Sequence, residues 1–344
     1  MKRIIVFLMM IIAGSQLVFG NLELDRELDR LSFDKNAQKS SKASFKAGVS
    51  SFVFERPFKQ NGRKALEVEY KNGKRDGIAR FYYLNGNVMA KGNYKDDKKD
   101  GLWEFYVENG KILRKINYKN GIYNGEYTEY FENGRADTVL KYVNGIKEGE
   151  ERQYYMSGKL QSVGEYKNGK LEGKGKEYYP SGKFKSDAFF VDGLLQGKST
   201  GYYENGNLEY EENYKDGKLD GLIKEYYENG QIKSEMYYKS GNLDGSATEY
   251  YENGQVYIQE SYKDGELDGE SFNFNEDGSL RSKGVYKNGE LVGDIVEGEV
   301  GSVVAGDVPD TEEVTVSTEN ENIESKIAIF AFGTVIIGLI AYTI

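Results

Sequence analysis

The sequence contains neither cysteine nor histidine. Without cysteine no disulfide can form, and without both residue types no Cys/His zinc site or histidine-dependent catalytic triad can be built. Folding therefore requires no oxidising compartment. The formal charge is −10, and lysine and glutamate alternate along most of the chain without forming a basic stripe. This charge pattern argues against nucleic acid as a partner.

A repeat with a period of 24 residues organises the middle of the chain. We number its positions by place, the count of residues after the leading aromatic residue, so that Tyr70 stands at place 0 and Gly77 at place 7. Glycine also recurs at places 3 and 16. Self-similarity at a fixed period indicates one array whose units contact mainly their neighbours. The leading residues are Tyr70, Tyr94, Tyr118, Tyr142, Tyr166, Phe190, Tyr214, Tyr238, Tyr262 and Tyr286.

Each unit has the pattern of two strands and two turns. Asparagine–glycine pairs such as Asn229-Gly230, between β-prone runs, are a strong hairpin signal. A longer second turn is predicted from Lys215 to Gly221, because aspartate side chains bond their own backbone and glycine readily adopts a positive φ. The sequence therefore predicts an all-β fold, an elongated array of antiparallel β-hairpins over residues 52–293. It comprises nine full units from Tyr70, a degraded half-unit before them and a partial tenth unit at the end.

Side-chain alternation along the strands predicts one buried and one solvated sheet face. Place 18 is apolar, as at Ile232, and has the parity of the next leading aromatic residue, whereas Lys233 and Glu235 have the opposite parity. A two-residue loop would pair place 13 with place 18, and a three-residue loop with a glycine bulge would pair place 12 with place 18. The second is favoured, because place 12 is aromatic in all nine units while place 13 also accepts Val107 and Asn275.

This choice leaves a row of exposed rings at place 13. A ladder of rings on a solvated face suits an extended ligand, either a polypeptide or a glycan chain. The alternative is that the rings pack only against cross-strand neighbours and lysine stems, and so stiffen the sheet. The candidate ligand-binding residues are Tyr83, Phe131, Tyr155, Tyr179, Tyr203, Tyr227 and Tyr251.

No catalytic residue, metal site or cofactor is predicted. Carboxylate pairs are frequent, but none departs from the repeat as a catalytic site would. Asp216 and Asp220 are four residues apart across a glycine turn, whereas calcium loops place carboxylates two apart and close with a glutamate. Turn formation explains these aspartates better.

Apolar segments flank the array. Residues 1–20 have a charged start, an apolar core and a small-residue end, which predicts a secretory signal peptide, with an uncleaved anchor as the alternative. Residues 327–344 carry no charge and would form a helix of ~27 Å, near the ~30 Å hydrocarbon thickness, which predicts a transmembrane helix; a buried globular helix is the alternative. Residues 21–51 predict a short amphipathic helix and a polar linker, and residues 294–326 an acidic, disordered linker.

The unit Tyr-Lys-Asn/Asp-Gly-x-x-Asp/Glu-Gly, followed by Tyr-Tyr-x-Asn-Gly, resembles the MORN-repeat variant of bacteria, often labelled a YwqK-type antitoxin-like repeat, over about residues 58–293. The resemblance implies a glycine-punctuated β-hairpin array that acts in protein or membrane association. Together with the flanking segments it predicts an exported protein, anchored in the membrane of the cell envelope or surface. We expect a non-catalytic scaffold that binds a protein or glycan partner. The alternatives are a structural spacer without a ligand and an antitoxin-like protein inhibitor.

Overall fold

A computed structural model of the chain describes residues 42–46, 49–55, 64–293 and 296–297. The predicted signal peptide (1–20), short helix (within 21–34) and transmembrane helix (327–344) lie outside these residues, as does nearly all of the acidic linker. The described part of the chain consists of strands and turns, and it contains no helix that could cross a membrane. The all-β prediction for the array is therefore confirmed.

The described strands are numbered in chain order. In the first half of the array they are β1 (Lys42–Lys46), β2 (Val49–Glu55), β3 (Lys64–Lys71), β4 (Lys74–Tyr82), β5 (Val88–Lys95), β6 (Lys98–Tyr106), β7 (Ile112–Lys119), β8 (Ile122–Tyr130), β9 (Ala136–Val143), β10 (Ile146–Lys147), β11 (Gly149–Tyr154), β12 (Leu160–Lys167) and β13 (Lys170–Tyr178). In the second half they are β14 (Phe184–Val191), β15 (Leu194–Leu195), β16 (Gly197–Tyr202), β17 (Leu208–Lys215), β18 (Lys218–Leu219), β19 (Gly221–Tyr226), β20 (Ile232–Lys239), β21 (Asn242–Tyr250), β22 (Val256–Lys263), β23 (Glu266–Phe274), β24 (Leu280–Lys287), β25 (Glu290–Leu291) and β26 (Val296–Glu297).

The strands form one antiparallel meander. β20, for example, pairs with β19 before it and with β21 after it. Where a unit has a two-residue strand followed by a longer one, as in β18 and β19, both pieces pair with the same preceding strand, β17. Each 24-residue unit thus adds two strands to the sheet. The two strands pair with each other, and each also pairs with one neighbouring unit, as β19 does with β17 and β20 with β21.

The array begins earlier than the sequence predicts. β1 pairs with β2, and β2 pairs with β3, so residues 42–46 and 49–51 lie in the sheet rather than in the expected polar linker. The sequence does not predict these strands, because the composition of this stretch is polar. Their backbone hydrogen bonds cover the edge of β3, which would otherwise expose unpaired N–H and C=O groups.

The turn at places 2 and 3 is tight. Asp216 and Gly217 have φ values of 51° and 78°, and Lys215 pairs with Lys218 across them. Positive φ at both central residues is the geometry of a type I′ turn, which matches the twist of the flanking strands. The predicted long turn from Lys215 to Gly221 is therefore wrong, because pairing resumes at Lys218; Asp220 is an irregular residue between β18 and β19, and Gly221 begins β19. We call the row of type I′ turns, places 1–4 of each unit, the turn edge.

Hydrogen bonds connect successive turns along this edge. The N–H of Gly241 at place 3 donates to the carbonyl of Leu219 at place 5 of the previous unit (2.8 Å). The N–H of Ser240 at place 2 donates to Oδ2 of Asp220 at place 6 of that unit (3.0 Å). Equivalent bonds recur in neighbouring units, so each turn is fastened to the one before it.

The other hairpin loop has three residues, as the sequence predicts. The N–H of Tyr227 donates to the carbonyl of Gln231 (2.8 Å), and the N–H of Gly230 donates to the carbonyl of Tyr227 (2.9 Å). This is a type I turn followed by a glycine bulge. Tyr226 pairs with Ile232, which confirms that place 12 lies opposite place 18. We call the row of these loops, places 13–17, the loop edge.

A second bulge changes which residues share a face. Glu225 pairs with Ser234 although Tyr226 pairs with Ile232, so Lys233 is an extra residue on its strand. Side-chain alternation restarts at this point. Place 18 therefore lies on the opposite face from places 20, 22 and 0, and the prediction that it shares the buried face with the leading aromatic residue is wrong.

Two faces follow from this register, and the unit that begins at Tyr94 shows both. We call the face formed by places 0, 5, 9, 11, 20 and 22 the packed face; in this unit all six side chains are buried: Tyr94, Lys99, Trp103, Phe105, Arg114 and Ile116. We call the opposite face, formed by places 10, 12, 18 and 21, the charged face; its side chains are half-buried: Glu104, Tyr106, Ile112 and Lys115.

Candidate functional site

The place-13 residues, the predicted ligand-binding row, begin the loops of the loop edge. Each of them is half-buried rather than exposed. The hydroxyl of Tyr203 donates to the carbonyl of Tyr226 in the next unit (2.7 Å), and Tyr227 donates in the same way to Tyr250 (2.6 Å). Tyr83, Tyr155, Tyr179 and Tyr251 make the equivalent bond, while Phe131 has no hydroxyl.

The predicted row of freely exposed rings is therefore corrected. Each hydroxyl donates to a backbone carbonyl at the end of a strand, where no neighbouring strand supplies an N–H. Such a bond contributes about 1 kcal/mol net to the free energy of unfolding. This contact differs from the packing against cross-strand neighbours and lysine stems that the sequence left open as an alternative. Whether the remaining exposed part of each ring also binds a ligand stays a prediction.

The place-12 rings lie on the charged face. The hydroxyl of Tyr226 donates to Oε2 of Glu211 in the previous unit (3.1 Å). Tyr82 makes the equivalent bond to Glu67, and burial together with this bond raises the pKa of Tyr82 to about 12. Place 18 lies between successive rings: the ring centroid of Phe184 is 5.8 Å from that of Tyr178 and 5.5 Å from that of Tyr202. The charged face thus carries a stripe of half-buried aromatic and apolar side chains bordered by lysine and glutamate.

The packed face of the first units is filled by aromatic side chains around Trp103, the single tryptophan. Its ring centroid lies 5.1 Å from that of Tyr94 and 6.2 Å from that of Phe105, and its Nε1 donates to the carbonyl of Asn93 (2.9 Å). Gly92 leaves the room for this ring, since a Cβ there would overlap it. The repeat pattern of the sequence gives no sign that a whole cluster forms around Trp103.

Basic side chains complete this cluster. The guanidinium of Arg75 lies 4.0 Å from the ring centroid of Tyr94, that of Arg114 lies 4.5 Å from Phe105, and Nζ of Lys99 lies 5.1 Å from Trp103. Cations in such positions are attracted by the ring quadrupoles, and their alkyl stems add apolar contact. Sequence reasoning missed these residues, because a basic side chain such as Arg75 or Arg114 is usually solvated and nothing in the pattern indicates that rings surround it.

Further along, the packed face opens into a shallow cleft. Its walls include Tyr166, Leu171 and Phe190, and its polar groups include Glu151 and Glu177, which are only 7% and 6% exposed. Burial and the nearby Glu151 carboxylate raise the pKa of Tyr166. Gln153, Ser162, Val163, Gly164 and Gly175 complete the lining. We call this site the Glu151–Glu177 cleft.

Both carboxylates of the cleft have basic partners. Nζ of Lys147 lies 2.6 Å from Oε2 of Glu151 and 4.7 Å from the ring centroid of Tyr166. Nζ of Lys185 lies 3.1 Å from Oε2 of Glu177. Each buried carboxylate of the cleft thus has a lysine as its ion-pair partner.

The turn aspartates make structural contacts. Asp220 accepts the N–H of Ser240, as described above, and Oδ1 of Asp268 accepts a bond from Nζ of Lys287 (2.9 Å). In the described residues no group of three or more acidic side chains is arranged to hold a metal ion.

The comparisons with known proteins agree with this geometry. The MORN repeat variant matches residues 75–96, 99–120, 147–168, 195–216, 219–240, 243–264 and 267–288, and the MORN repeat matches residues 163–184. The chain belongs to the MORN-repeat family. Each variant match begins next to a type I′ turn of the turn edge and ends in the next one, so the family's unit is the 24-residue unit of the sheet. Residues 163–184 include Gly164 and Gly175 of the Glu151–Glu177 cleft. The narrower likeness to YwqK-type antitoxin-like repeats stays a prediction.

The other comparisons do not narrow the family assignment further. A search of curated proteins finds no match. Among solved structures, the crystal structure of TcdB2-TccC3 is 10% identical, with a TM-score of 0.19, over 69% of this chain and 14% of that one. The crystal structure of TcdB2-TccC3-TEV is 12% identical, with a TM-score of 0.18, over 72% of this chain and 15% of that one. This MORN-repeat chain thus spans about a seventh of those structures.

Proposed function

We propose that this MORN-repeat protein is a non-catalytic scaffold that binds an extended protein or glycan partner along its sheet. The observation that carries the proposal is the recurrence of two adjacent, half-buried rings at places 12 and 13, as at Tyr226 and Tyr227, in successive units. An extended partner would meet the same aromatic surface and the same bordering charges at every unit. Rings that are partly exposed and held by hydrogen bonds bind at low entropic cost, because little side-chain freedom remains to be lost.

The proposal includes export and attachment to a membrane of the bacterial envelope. The signal-like residues 1–20 and the uncharged residues 327–344 support it. Mass spectrometry of the native protein tests export: a mature N-terminus near residue 21 is expected. An N-terminus that retains residues 1–20, with the protein recovered in the soluble cytosolic fraction, would instead favour the antitoxin-like inhibitor.

Substitution of three loop-edge tyrosines tests the binding surface. In one variant Tyr203, Tyr227 and Tyr251 become phenylalanine, which removes the hydroxyl bonds but keeps the rings. In the second variant all three become serine, which removes both. We expect the phenylalanine variant to melt at a lower temperature and to keep its partner, and the serine variant to lose it, in affinity capture and on a glycan array. Folding of both variants is verified by circular dichroism.

A structural spacer is the second candidate, and the bonds from the place-13 hydroxyls to the next unit's carbonyls favour it. A spacer needs stiffness from these residues and no contact with a ligand. If the folded serine variant captures the same partners as the unchanged protein, the aromatic surface does not bind them and the spacer function stands.

A further inference from the structure

The Glu151–Glu177 cleft occupies a position that the chain itself fills two units earlier. Arg114 pairs in register with Glu129, and at the equivalent places Ser162 pairs with Glu177. In the earlier unit Arg114 is 1% exposed and packs over the ring of Phe105. The later pair therefore keeps the carboxylate and replaces the arginine by a serine.

Two other substitutions open the same space. The places held by Ile116 and Tyr127 in the earlier unit are held by Gly164 and Gly175 at the cleft. Loss of these side chains removes apolar volume next to the missing guanidinium. Together with Ser162, these glycines remove a guanidinium and two apolar side chains from this part of the packed face, and Leu171 packs close to Gly164.

The charge of the cleft also selects a cation. Glu151 replaces Trp103 of the earlier unit, so that the lining gains a second carboxylate, and none of the described residues that line the cleft is basic. Lys147 and Lys185 contact the Oε2 atoms of the two carboxylates from outside this lining. Gln153 Nε2 donates to Oε1 of Glu151 (3.1 Å), and Ser186 Oγ donates to Oε2 of Glu177 (3.3 Å). A carboxylate accepts several hydrogen bonds at once, so each one can bind a further N–H donor.

We propose that the Glu151–Glu177 cleft binds an arginine or lysine side chain of a partner polypeptide. The side chain takes the place that Arg114 takes within the chain itself, with its stem against Tyr166, Leu171 and Phe190 and its cationic end at the two carboxylates. This proposal rests on the proposed function, with a protein as the partner. It adds the chemistry by which the cleft recognises one side chain of that partner.

A peptide titration of the full-length protein tests it. The probe is acetyl-Gly-Gly-Arg-Gly-Gly-amide, and its comparison peptide carries citrulline, which has nearly the shape of arginine without the charge. Saturation-transfer NMR measures both dissociation constants. We expect the citrulline peptide to bind at least tenfold more weakly. Equal binding of the two peptides would overturn the proposal, as would binding of maltohexaose without binding of the arginine peptide.

Two variants locate the peptide on the protein. Ser162→Arg restores the chain's own cation and should abolish peptide binding, whereas Ser282→Arg, at the same place in a unit outside the cleft, should leave it unchanged. Glu177→Gln should weaken binding at least tenfold, and Glu249→Gln at the same place in another unit should not; this pair keeps the test open if Ser162→Arg fails to fold. Full binding by a folded Ser162→Arg variant would overturn the proposal. The loop-edge serine variant tests the proposed function separately, since its substitutions lie outside the cleft.

Discussion

Replacement of Trp103 by alanine tests the aromatic cluster of the packed face. Trp103 is 0% exposed and lies among the rings of Phe81, Tyr94, Phe105 and Tyr118, at centroid distances between 5.1 and 6.3 Å. Removal of a buried tryptophan or phenylalanine costs about 3–5 kcal/mol through lost transfer free energy and the cavity that remains.

The upper end of that range applies at this position. Each aromatic contact is worth about 0.5–1.5 kcal/mol beyond its buried area, and the carbonyl of Asn93 would lose the bond from Nε1. Gly92, against which the ring packs, has no side chain that could move into the cavity. We therefore expect a loss of about 5 kcal/mol.

Hydrogen exchange followed by mass spectrometry measures this loss unit by unit. Because units of an array stabilise mainly their neighbours, faster exchange should be confined to about residues 66–142, and exchange beyond Tyr238 should not change. Ser199→Ala, at the same place in another unit, is the matched control and should cost about 1 kcal/mol for the lost bond to the carbonyl of Asp187. A loss below about 1.5 kcal/mol for Trp103→Ala, or faster exchange throughout the array, would refute this reasoning.

Three further predictions concern tyrosines. Gly201→Ala should destabilise the array by about 1–3 kcal/mol in urea unfolding, because a Cβ there overlaps the ring of Tyr210, and the same change should cost little in a chain that already carries Tyr210→Ser. Burial raises the pKa of Tyr142 to about 12, so the folded state keeps a proton that the unfolded chain releases near pH 10. The contribution of Tyr142 to the free energy of unfolding is therefore constant below about pH 10 and falls by about 1.4 kcal/mol per pH unit between about pH 10 and 12. Tyr142→Phe should flatten that part of the curve of unfolding free energy against pH. Tyr227→Phe removes the bond to the carbonyl of Tyr250 and should cost about 1 kcal/mol in urea unfolding, and no loss would show that the hydroxyl does not support the loop edge.

The period alone predicts much of the fold, because local turn chemistry repeats with it. Asn229 and Gly230 indicate a short hairpin loop, and the aromatic residue at place 12 selects the three-residue form and its register. The faces could not be derived by counting, since the bulge at Lys233 restarts side-chain alternation and moves Ile232 to the charged face. A bulge of this kind leaves no mark in a pattern of apolar and polar residues.

The candidate sites were harder to predict than the fold. Tyr203 and its equivalents are recognisable as a row, but the bond of each hydroxyl to a carbonyl depends on how neighbouring loops are placed. The Glu151–Glu177 cleft depends on small residues at Ser162 and Gly164, which look unremarkable in a glycine-rich chain. It becomes visible when corresponding places of different units are compared on the correct face.

The bonds that fasten each turn to the one before it have a consequence for how this chain evolves. Two hydrogen bonds join one copy to the next, from Gly241 to Leu219 and from Ser240 to Asp220. Each copy offers the same donors and acceptors to its neighbour. Duplication or loss of one whole copy recreates every junction, whereas a single-residue insertion breaks the junctions on both sides. The number of copies can therefore change during evolution, whereas the spacing within a copy is constrained. Each added copy extends the sheet by one unit and needs no new kind of contact.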